Sequence, residues 1–90
     1  MMVNSKFFKN KNILITGGTG TFGTAMINYL LKISNPKSIT IFSRDEMKQW
    51  YLQESLSKYQ NVKFVLGDVR DKERLNNVLN NKTDYVFHAA

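Results

Sequence analysis

The sequence contains no cysteine, one histidine and one proline in 90 residues. Without cysteine, disulfide bonds and thiolate metal sites are excluded, and His88 alone cannot form a multi-histidine metal site. The absence of cysteine is compatible with a reducing compartment, so we expect a cytoplasmic protein. Apolar runs reach only about four residues, so the sequence predicts no transmembrane helix and no signal peptide.

Acidic residues are also few, with 7 Asp and Glu against 13 Lys and Arg, which gives a formal net charge of +6. A basic chain can bind nucleic acid or an anionic cofactor. The lysines are scattered and no RNA-binding aromatic motif is present. We therefore expect most lysines to be solvated and expect no nucleic-acid partner. The apolar share of 42% is ordinary for a single globular domain.

Hydrophobic periodicity predicts strands that alternate with helices along the whole chain. The predicted strands are 12–16, 38–42, 62–66 and 85–88, and the predicted helices are 21–33, 45–59 and 72–80. Asn35-Pro36 is expected to end the first helix, and Asp71 to be the N-cap of the third. This alternation predicts an α/β fold, a Rossmann-like doubly wound parallel sheet with strand order 3-2-1-4.

Each predicted helix carries apolar residues at spacings of three and four, which indicates one buried face. In the first helix this face is Ala25, Met26, Tyr29, Leu30 and Ile33. In the second helix it is Leu52, Leu56 and Tyr59, with Met47 or Trp50 extending it. In the third helix it is Leu75, Val78 and Leu79.

A glycine-rich turn at 17–23 lies between the first strand and the first helix. Its glycines at 18, 20 and 23 fit the dinucleotide fingerprint, and those at 17, 20 and 23 fit the variant of short-chain dehydrogenases. One glycine permits the tight turn, one lets the backbone approach a pyrophosphate, and Gly23 lets the helix pack close to the strand. The turn therefore predicts a dinucleotide site at a helix N-terminus. The alternative is a tight turn without a ligand.

Each predicted strand is followed by a loop at its carboxyl end. In a parallel sheet whose order reverses between the first and fourth strands, these loops meet over one crevice, where ligands bind. The four loops are the glycine turn, Ser43-Arg44, Gly67-Asp68 and His88-Ala89.

Two of these loops supply candidate contacts away from the pyrophosphate. Asp68 can accept a hydrogen bond from the adenine amino group, with the Val69 backbone completing the edge. Alternatively, Asp68 only caps the turn at 68–71. Ala89 is small enough to let the pyrophosphate or the nicotinamide ribose lie close. His88 is expected to pack at the strand end rather than to act in catalysis.

The residue about 20 positions after the glycines selects between NAD and NADP, and in NAD sites it is acidic. Here Ser43 lies 20 positions after Gly23, Arg44 follows it, and Lys48 lies one helical turn further on. A hydroxyl beside a guanidinium binds the additional phosphate of NADP, which a carboxylate would repel. We therefore expect NADP. If the strand instead ends two residues later, Asp45 takes the acidic position and the cofactor is NAD. A further alternative is that Arg44 and Lys48 are ordinary surface charges without a role in binding.

Four segments together resemble a known family, namely 12–23, 41–49, 67–75 and 84–90. The set is similar to extended short-chain dehydrogenases of the polysaccharide-biosynthesis branch, and particularly to UDP-N-acetylglucosamine 4,6-dehydratases, including the inverting type. The glycine turn is shared across that superfamily. The Ser-Arg-Asp-Glu-x-Lys-Gln and Gly-Asp-Val-Arg-Asp stretches are more specific to this branch.

The resemblance implies a lyase that acts on a UDP-sugar in surface-polysaccharide or flagellin-glycan biosynthesis. Bound NADP would take a hydride from the sugar C4, water would leave across C5 and C6, and the hydride would return at C6. We also expect the complete protein to be a homo-oligomer. The runner-up functions are a nucleotide-sugar 4-epimerase of the same superfamily and a non-catalytic NADP-binding fragment.

The resemblance also assigns cofactor contacts by segment. Thr19 to Phe22 would line the pyrophosphate, Ser43 to Lys48 the 2′-phosphate, Asp68 and Val69 the adenine, and Ala89 the inner half of the cofactor. The predicted cofactor-binding residues are Gly17, Thr19, Gly20, Thr21, Phe22, Gly23, Ser43, Arg44, Asp45, Glu46, Met47, Lys48, Asp68, Val69 and Ala89.

The family's catalytic Tyr-x-x-x-Lys lies beyond position 90, so no catalytic residue is predicted in this chain. Tyr59-x-x-x-Lys63 matches the spacing, but the tyrosine is expected to end a helix and the lysine to lie in a strand. We expect residues 1–10 to be a lead-in whose Phe7 and Phe8 pack on the first helix or a sheet edge. Residues 11–90 are expected to form the front half of an NAD(P)-binding domain.

Overall fold

The computed structural model describes residues 5–79 and 82–89. Its four strands are parallel and form one sheet in the order β3-β2-β1-β4, which confirms the predicted fold class and strand order. The strands β1 to β4 are Asn12–Thr16, Ser38–Ser43, Val62–Leu66 and Tyr85–His88. The helices α1 to α3 are Thr21–Ile33, Glu46–Ser55 and Lys72–Val78, and a 3-10 helix at Ser5–Phe8 precedes β1.

The core is built on the two central strands, β1 and β2, whose aliphatic side chains are buried. Parallel strands between helices bury both faces, which favours continuous runs of branched residues over alternation with polar ones. One side of the sheet packs against Ile27 and Leu30 of α1. The buried strand residues on that side are Ile13, Ile15, Ile39 and Ile41.

The strand register brings the carboxyl ends of the strands to one level. Thr16, the last residue of β1, pairs with Phe42 on one side and His88 on the other. Backbone hydrogen bonds then continue one residue beyond three of the strands, each with a donor–acceptor distance of 2.8 Å. These bonds run from Gly17 to Phe42, from Gly67 to Ser43 and from Ala89 to Thr16. The loops that follow β1, β3 and β4 therefore leave the sheet at the same edge.

Helix α1 has the predicted bounds, and its predicted buried face is right for Leu30, which is buried, and for Met26, which packs against the core, but the centre of the face is rotated. Its buried residues are Gly23, Ile27 and Leu30, whereas Ala25 is exposed and Ile33 is 42% exposed. The cause is a close backbone contact, because a Cβ built on Gly23 would lie 2.5 Å from Gly18 Cα. The helix rests on the turn through Gly23, and this contact turns Ile27 toward the sheet.

Helix α2 is shorter than predicted, since it ends at Ser55 rather than at Tyr59. Ser55 Oγ donates to Leu52 O at 2.8 Å, and such side-chain bonds compete with the continuing helix. The expectation that Met47 or Trp50 extends the buried face is also wrong, because these side chains are 69% and 57% exposed.

The predicted buried face of α3 is wrong, because no residue of α3 is buried and Leu75, Val78 and Leu79 are only half-buried. The other features of the remaining elements agree with expectation. The Asp71 side chain accepts from Arg74 N at 3.1 Å, which confirms the predicted N-cap of α3. That helix ends at Val78, and the predicted end at Asn80 lies outside the described residues. In the lead-in, Phe8 is buried and its ring lies 5.4 Å from that of Tyr85 and 5.7 Å from that of Phe87. The predicted packing of this segment on the sheet is thus confirmed for Phe8.

Replacement of Gly23 by alanine should lower the free energy of unfolding by about 1–3 kcal/mol, because the new methyl group would press on the backbone of the turn. Gly20→Ala is the matched control, since a Cβ there has its nearest non-neighbouring atom, Gly17 O, at 3.6 Å. That control should cost less than about 1 kcal/mol. Urea denaturation followed by circular dichroism measures both variants, and equal losses would contradict the proposed contact.

Candidate functional site

A cleft of about 510 Å³ opens at the carboxyl edge of the sheet, between the glycine turn and the ends of β2 and β3. It brings together most of the residues predicted to bind the cofactor. Its lining residues are Gly17, Thr19, Gly20, Phe42, Ser43, Arg44, Asp45, Lys48, Gly67, Asp68, Val69, Arg70 and Ala89.

Five predicted residues do not border this cleft. Gly23 is buried beneath the turn, where it supports α1. The other four lie at the exposed surface of the first turns of α1 and α2, and they are Thr21, Phe22, Glu46 and Met47. The side chains of these four residues are therefore not brought to the cleft, although the backbone N–H groups of Thr21 and Phe22 belong to the first turn of α1.

The glycine turn shapes the wall of the cleft nearest β1. Gly17 has φ of 69°, a left-handed conformation that favours glycine, and Gly20 N donates to Gly17 O at 3.2 Å to close the turn. Gly20 is the N-cap of α1 and has no side chain that could accept from the first-turn N–H groups. These N–H groups and the positive end of the helix dipole are therefore available to an anion.

The far wall is formed by the end of β2 and the start of α2. Ser43 is buried at the strand end, and Arg44 has a side chain that is 73% exposed. Asp45 is the N-cap of α2, and its Oδ1 accepts from Lys48 N at 3.0 Å. Two cations and a hydroxyl therefore meet on this wall, while one carboxylate oxygen is occupied in capping the helix.

Asp68 is held chiefly by its near neighbour Arg70. Arg70 Nη2 donates to Asp68 Oδ2 at 2.6 Å, and Arg70 N donates to Asp68 Oδ1 at 2.9 Å. These bonds, with smaller contributions from the charges of Arg70 and Arg44, hold the pKa of Asp68 well below its usual range. Arg44 Nη1 lies 3.6 Å from Asp68 Oδ2, so the loops after β2 and β3 also meet. These hydrogen bonds agree with the alternative that Asp68 caps its own turn. Adenine binding by Asp68 stays a prediction.

Two residues that the sequence did not single out as part of the site donate hydrogen bonds to the ends of β2 and β3. Gln49 is buried in α2, and its Nε2 donates to Val65 O at 2.8 Å and to Ser43 Oγ at 3.0 Å. Arg74 Nε donates to Leu66 O at 2.9 Å. A signal for Gln49 existed, since it lies three residues before the apolar Leu52 and therefore on the same helical face.

Other sequence candidates lie elsewhere. His88 Nδ1 and Thr16 Oγ1 are 2.5 Å apart and share a hydrogen bond that joins β4 to β1, and neither residue borders the cleft. Tyr59 follows α2 and packs against the core, whereas Lys63 lies within β3.

Among residues 5–79 and 82–89, no group of three or more His, Asp or Glu side chains is arranged to hold a metal ion. No helix in this described part is sufficiently long and apolar to cross a membrane.

Comparison with known proteins places this geometry in a family. Residues 13–90 match the family described as polysaccharide biosynthesis protein. The chain belongs to this family. It is 48% identical over 83 residues to a UDP-N-acetylglucosamine 4,6-dehydratase (inverting) of Campylobacter jejuni, which covers 92% of this chain and 24% of that protein. It is 44% identical over 86 residues to a UDP-glucose 4-epimerase of Rickettsia typhi, which covers 92% of this chain and 25% of that protein.

A solved structure supports the same assignment at the level of the fold. Pen from Bacillus thuringiensis is 42% identical and superposes with a TM-score of 0.88, over 93% of this chain and 25% of that chain. The family member described here therefore spans about a quarter of the length of the relatives that it matches.

A Rossmann-like fold of this family implies a nicotinamide dinucleotide cofactor. The residues present fit such a group. The bare N-cap Gly20 leaves the N-terminus of α1 open toward the cleft. The charged lining residues comprise three cations, Arg44, Lys48 and Arg70, and two carboxylates, Asp45 and Asp68, so the cleft favours an anionic ligand.

The Asp68 carboxyl group should remain ionised at pH 3, because Arg70 donates two kinds of hydrogen bond to it. Since the pKa is lower in the folded state than the unfolded value of about 3.9, the pair stabilises the fold above about pH 4, and this stabilisation is lost as the pH falls further. Carboxyl ¹³C NMR measures the titration. Arg70→Gln should move the midpoint upward, whereas Lys72→Gln, on exposed α3, should not. A midpoint near 4 in the unsubstituted protein would refute the assignment.

Proposed function

We propose that this chain is the NADP-binding part of a nucleotide-sugar 4,6-dehydratase that acts on UDP-N-acetylglucosamine in surface-polysaccharide or flagellin-glycan biosynthesis. The observation that carries the proposal is the convergence of the glycine turn, the cationic end of β2 and the loop after β3 on one cleft. The similarity to the Campylobacter jejuni UDP-N-acetylglucosamine 4,6-dehydratase (inverting) supports the choice of reaction and sugar.

The end of β2 supports NADP over NAD. Strand β2 ends at Ser43, so Asp45 does not lie at the strand end, which the NAD alternative requires. The carboxylate of Asp45 instead caps α2 through Lys48 N. The exposed guanidinium of Arg44 and the ammonium group of Lys48 are the cations that line this wall of the cleft, and a phosphate is the group that they fit.

Each remaining part of the cleft has a proposed role in holding the cofactor. The first-turn N–H groups of α1 would bind the pyrophosphate, and Asp68 with Val69 would border the adenine. Ala89 would allow the inner half of the cofactor to lie against the end of β4. When bound, the cofactor supplies a reversible hydride acceptor, and this chain supplies its orientation.

A second candidate function is nucleotide-sugar 4-epimerisation, which the Rickettsia typhi relative favours because its identity and coverage are similar. Both reactions can use the same cofactor-binding part, since the choice between them depends on residues that contact the sugar. A product assay with UDP-N-acetylglucosamine and UDP-glucose separates the two candidates. Three further expectations stay predictions, namely the division at residues 10 and 11, a homo-oligomer and a cytoplasmic location.

Replacement of Arg44 by alanine in the complete protein should weaken NADP binding by about 10- to 100-fold, because a hydrogen bond to a charged group contributes about 1.5–3 kcal/mol. NAD binding should change less than about twofold. Calorimetric titration with both cofactors provides the measurement. Lys37→Ala is the control, since this exposed cation precedes β2 at the opposite edge of the sheet. Tighter NAD than NADP binding that Arg44→Ala does not affect would reject the NADP assignment.

The isolated 90-residue chain should not convert nucleotide sugar, because no residue that we assign to catalysis lies within it. It should nevertheless bind NADP if it folds as described. Incubation with UDP-N-acetylglucosamine and NADP, followed by product analysis, tests this expectation, with circular dichroism as the control for folding. Dehydratase activity from the isolated chain would prove the expectation wrong.

A further inference from the structure

The buried amide of Gln49 determines how the hydroxyl group of Ser43 can be used. Gln49 Nε2 lies 2.8 Å from Val65 O, 3.0 Å from Ser43 Oγ and 3.3 Å from Ser43 O. Two of these three partners are backbone carbonyl oxygens, which can only accept hydrogen bonds. The amide nitrogen must therefore be the atom that faces them, and the orientation of the Gln49 side chain is fixed by chemistry.

The same argument fixes the role of Ser43 toward Gln49. An amide nitrogen donates and does not accept, so Ser43 Oγ accepts from Gln49 and keeps its own hydrogen. Within residues 5–79 and 82–89, the structure shows no acceptor for that hydrogen. Ser43 borders the cleft on the same wall as Arg44 and Lys48. Its hydroxyl hydrogen is thus free to complete a set of donors on that wall.

We propose that Gln49 is a positioning residue for cofactor selection, which holds Ser43 Oγ as an acceptor on its buried side so that the hydroxyl donates to the 2′-phosphate of NADP. This inference rests on the proposed NADP site and adds to it a residue that does not line the cleft. Gln49 is suited to the role because it is 5% exposed and also ties the end of β2 to β3 through Val65 O.

The test is a double-mutant cycle with Ser43→Ala and Gln49→Met in the complete protein, measured as dissociation constants for NADP and NAD. Gln49→Met keeps the volume of the side chain and removes its donors. Each single variant should weaken NADP binding by about tenfold, as expected for a lost hydrogen bond to a phosphate, and should change NAD binding less than about twofold. In the Ser43→Ala background, Gln49→Met should have little further effect, because the two residues act through one hydroxyl.

The outcomes separate this inference from a purely structural role of Gln49. Equal weakening of NADP and NAD by Gln49→Met, or independent effects of the two substitutions, would overturn it. If Gln49→Met does not fold, Ser43→Ala decides alone: a selective loss of NADP affinity supports the donor role of the hydroxyl, and an unchanged NADP-to-NAD ratio overturns it.

The outcomes also separate it from the proposed function. If Arg44→Ala selectively weakens NADP binding while Ser43→Ala and Gln49→Met do not, only the role of Gln49 is wrong. If Arg44→Ala affects neither cofactor and NAD binds more tightly, the NADP site itself is wrong and the role of Gln49 falls with it.

Discussion

The contact between Gly23 of α1 and the glycine turn is the constraint on which the geometry of the cleft depends. Backbone meets backbone there, at a spacing that excludes any side chain. The contact places the N-terminus of α1 next to the end of β1, one of the two central strands of the sheet. Because β1 pairs in parallel with both β2 and β4, the neighbouring strand ends lie at the same level, and the open helix terminus faces the loops that follow them.

A second group of residues determines the charge of the cleft. Asp68 is paired with Arg70 and lies only 3.6 Å from Arg44, so its carboxylate is already compensated before any ligand binds. The guanidinium of Arg44 remains largely exposed. Gln49 and Arg74 donate hydrogen bonds to the carbonyl oxygens of Val65 and Leu66, at the carboxyl end of β3, and these bonds help to hold the strand end from which the charged loop begins. The backbone beneath these exposed charges is held by the buried and partly buried hydrogen bonds of Gln49 and by the exposed one of Arg74.

The matched relatives carry different names, a dehydratase in one case and an epimerase in another, although each matches 92% of this chain. A shared cofactor-binding part explains this pattern, because the described cleft contains groups that suit an anion and no group to which we assign sugar chemistry. Parts of the relatives outside the matched quarter would then distinguish one reaction from another. The family and the fold are therefore shared across this part of the protein, whereas the reaction would depend on parts of the relatives outside it.

Much of the fold and of the cleft could be predicted from local sequence. The strands were placed to within one residue, since each is a short run rich in branched and aromatic residues between polar residues and turn formers. Once the alternation of strands and helices is known, right-handed crossovers dictate the strand order and bring the carboxyl-end loops together. Ser43, Arg44 and Asp68 were therefore expected at one edge before their distances were known.

The sequence by itself determined which segments form the sheet and which loops meet, because these depend on local periodicity and on chain connectivity. The rotation of α1, the end of α2 and the partners of Gln49 were decided only by tertiary structure. Two apolar faces of α1 satisfy the same spacing, and the close contact at Gly23 selects one of them. A polar side chain within a helix likewise has no predictable partner until folding brings a neighbouring strand end within hydrogen-bond distance.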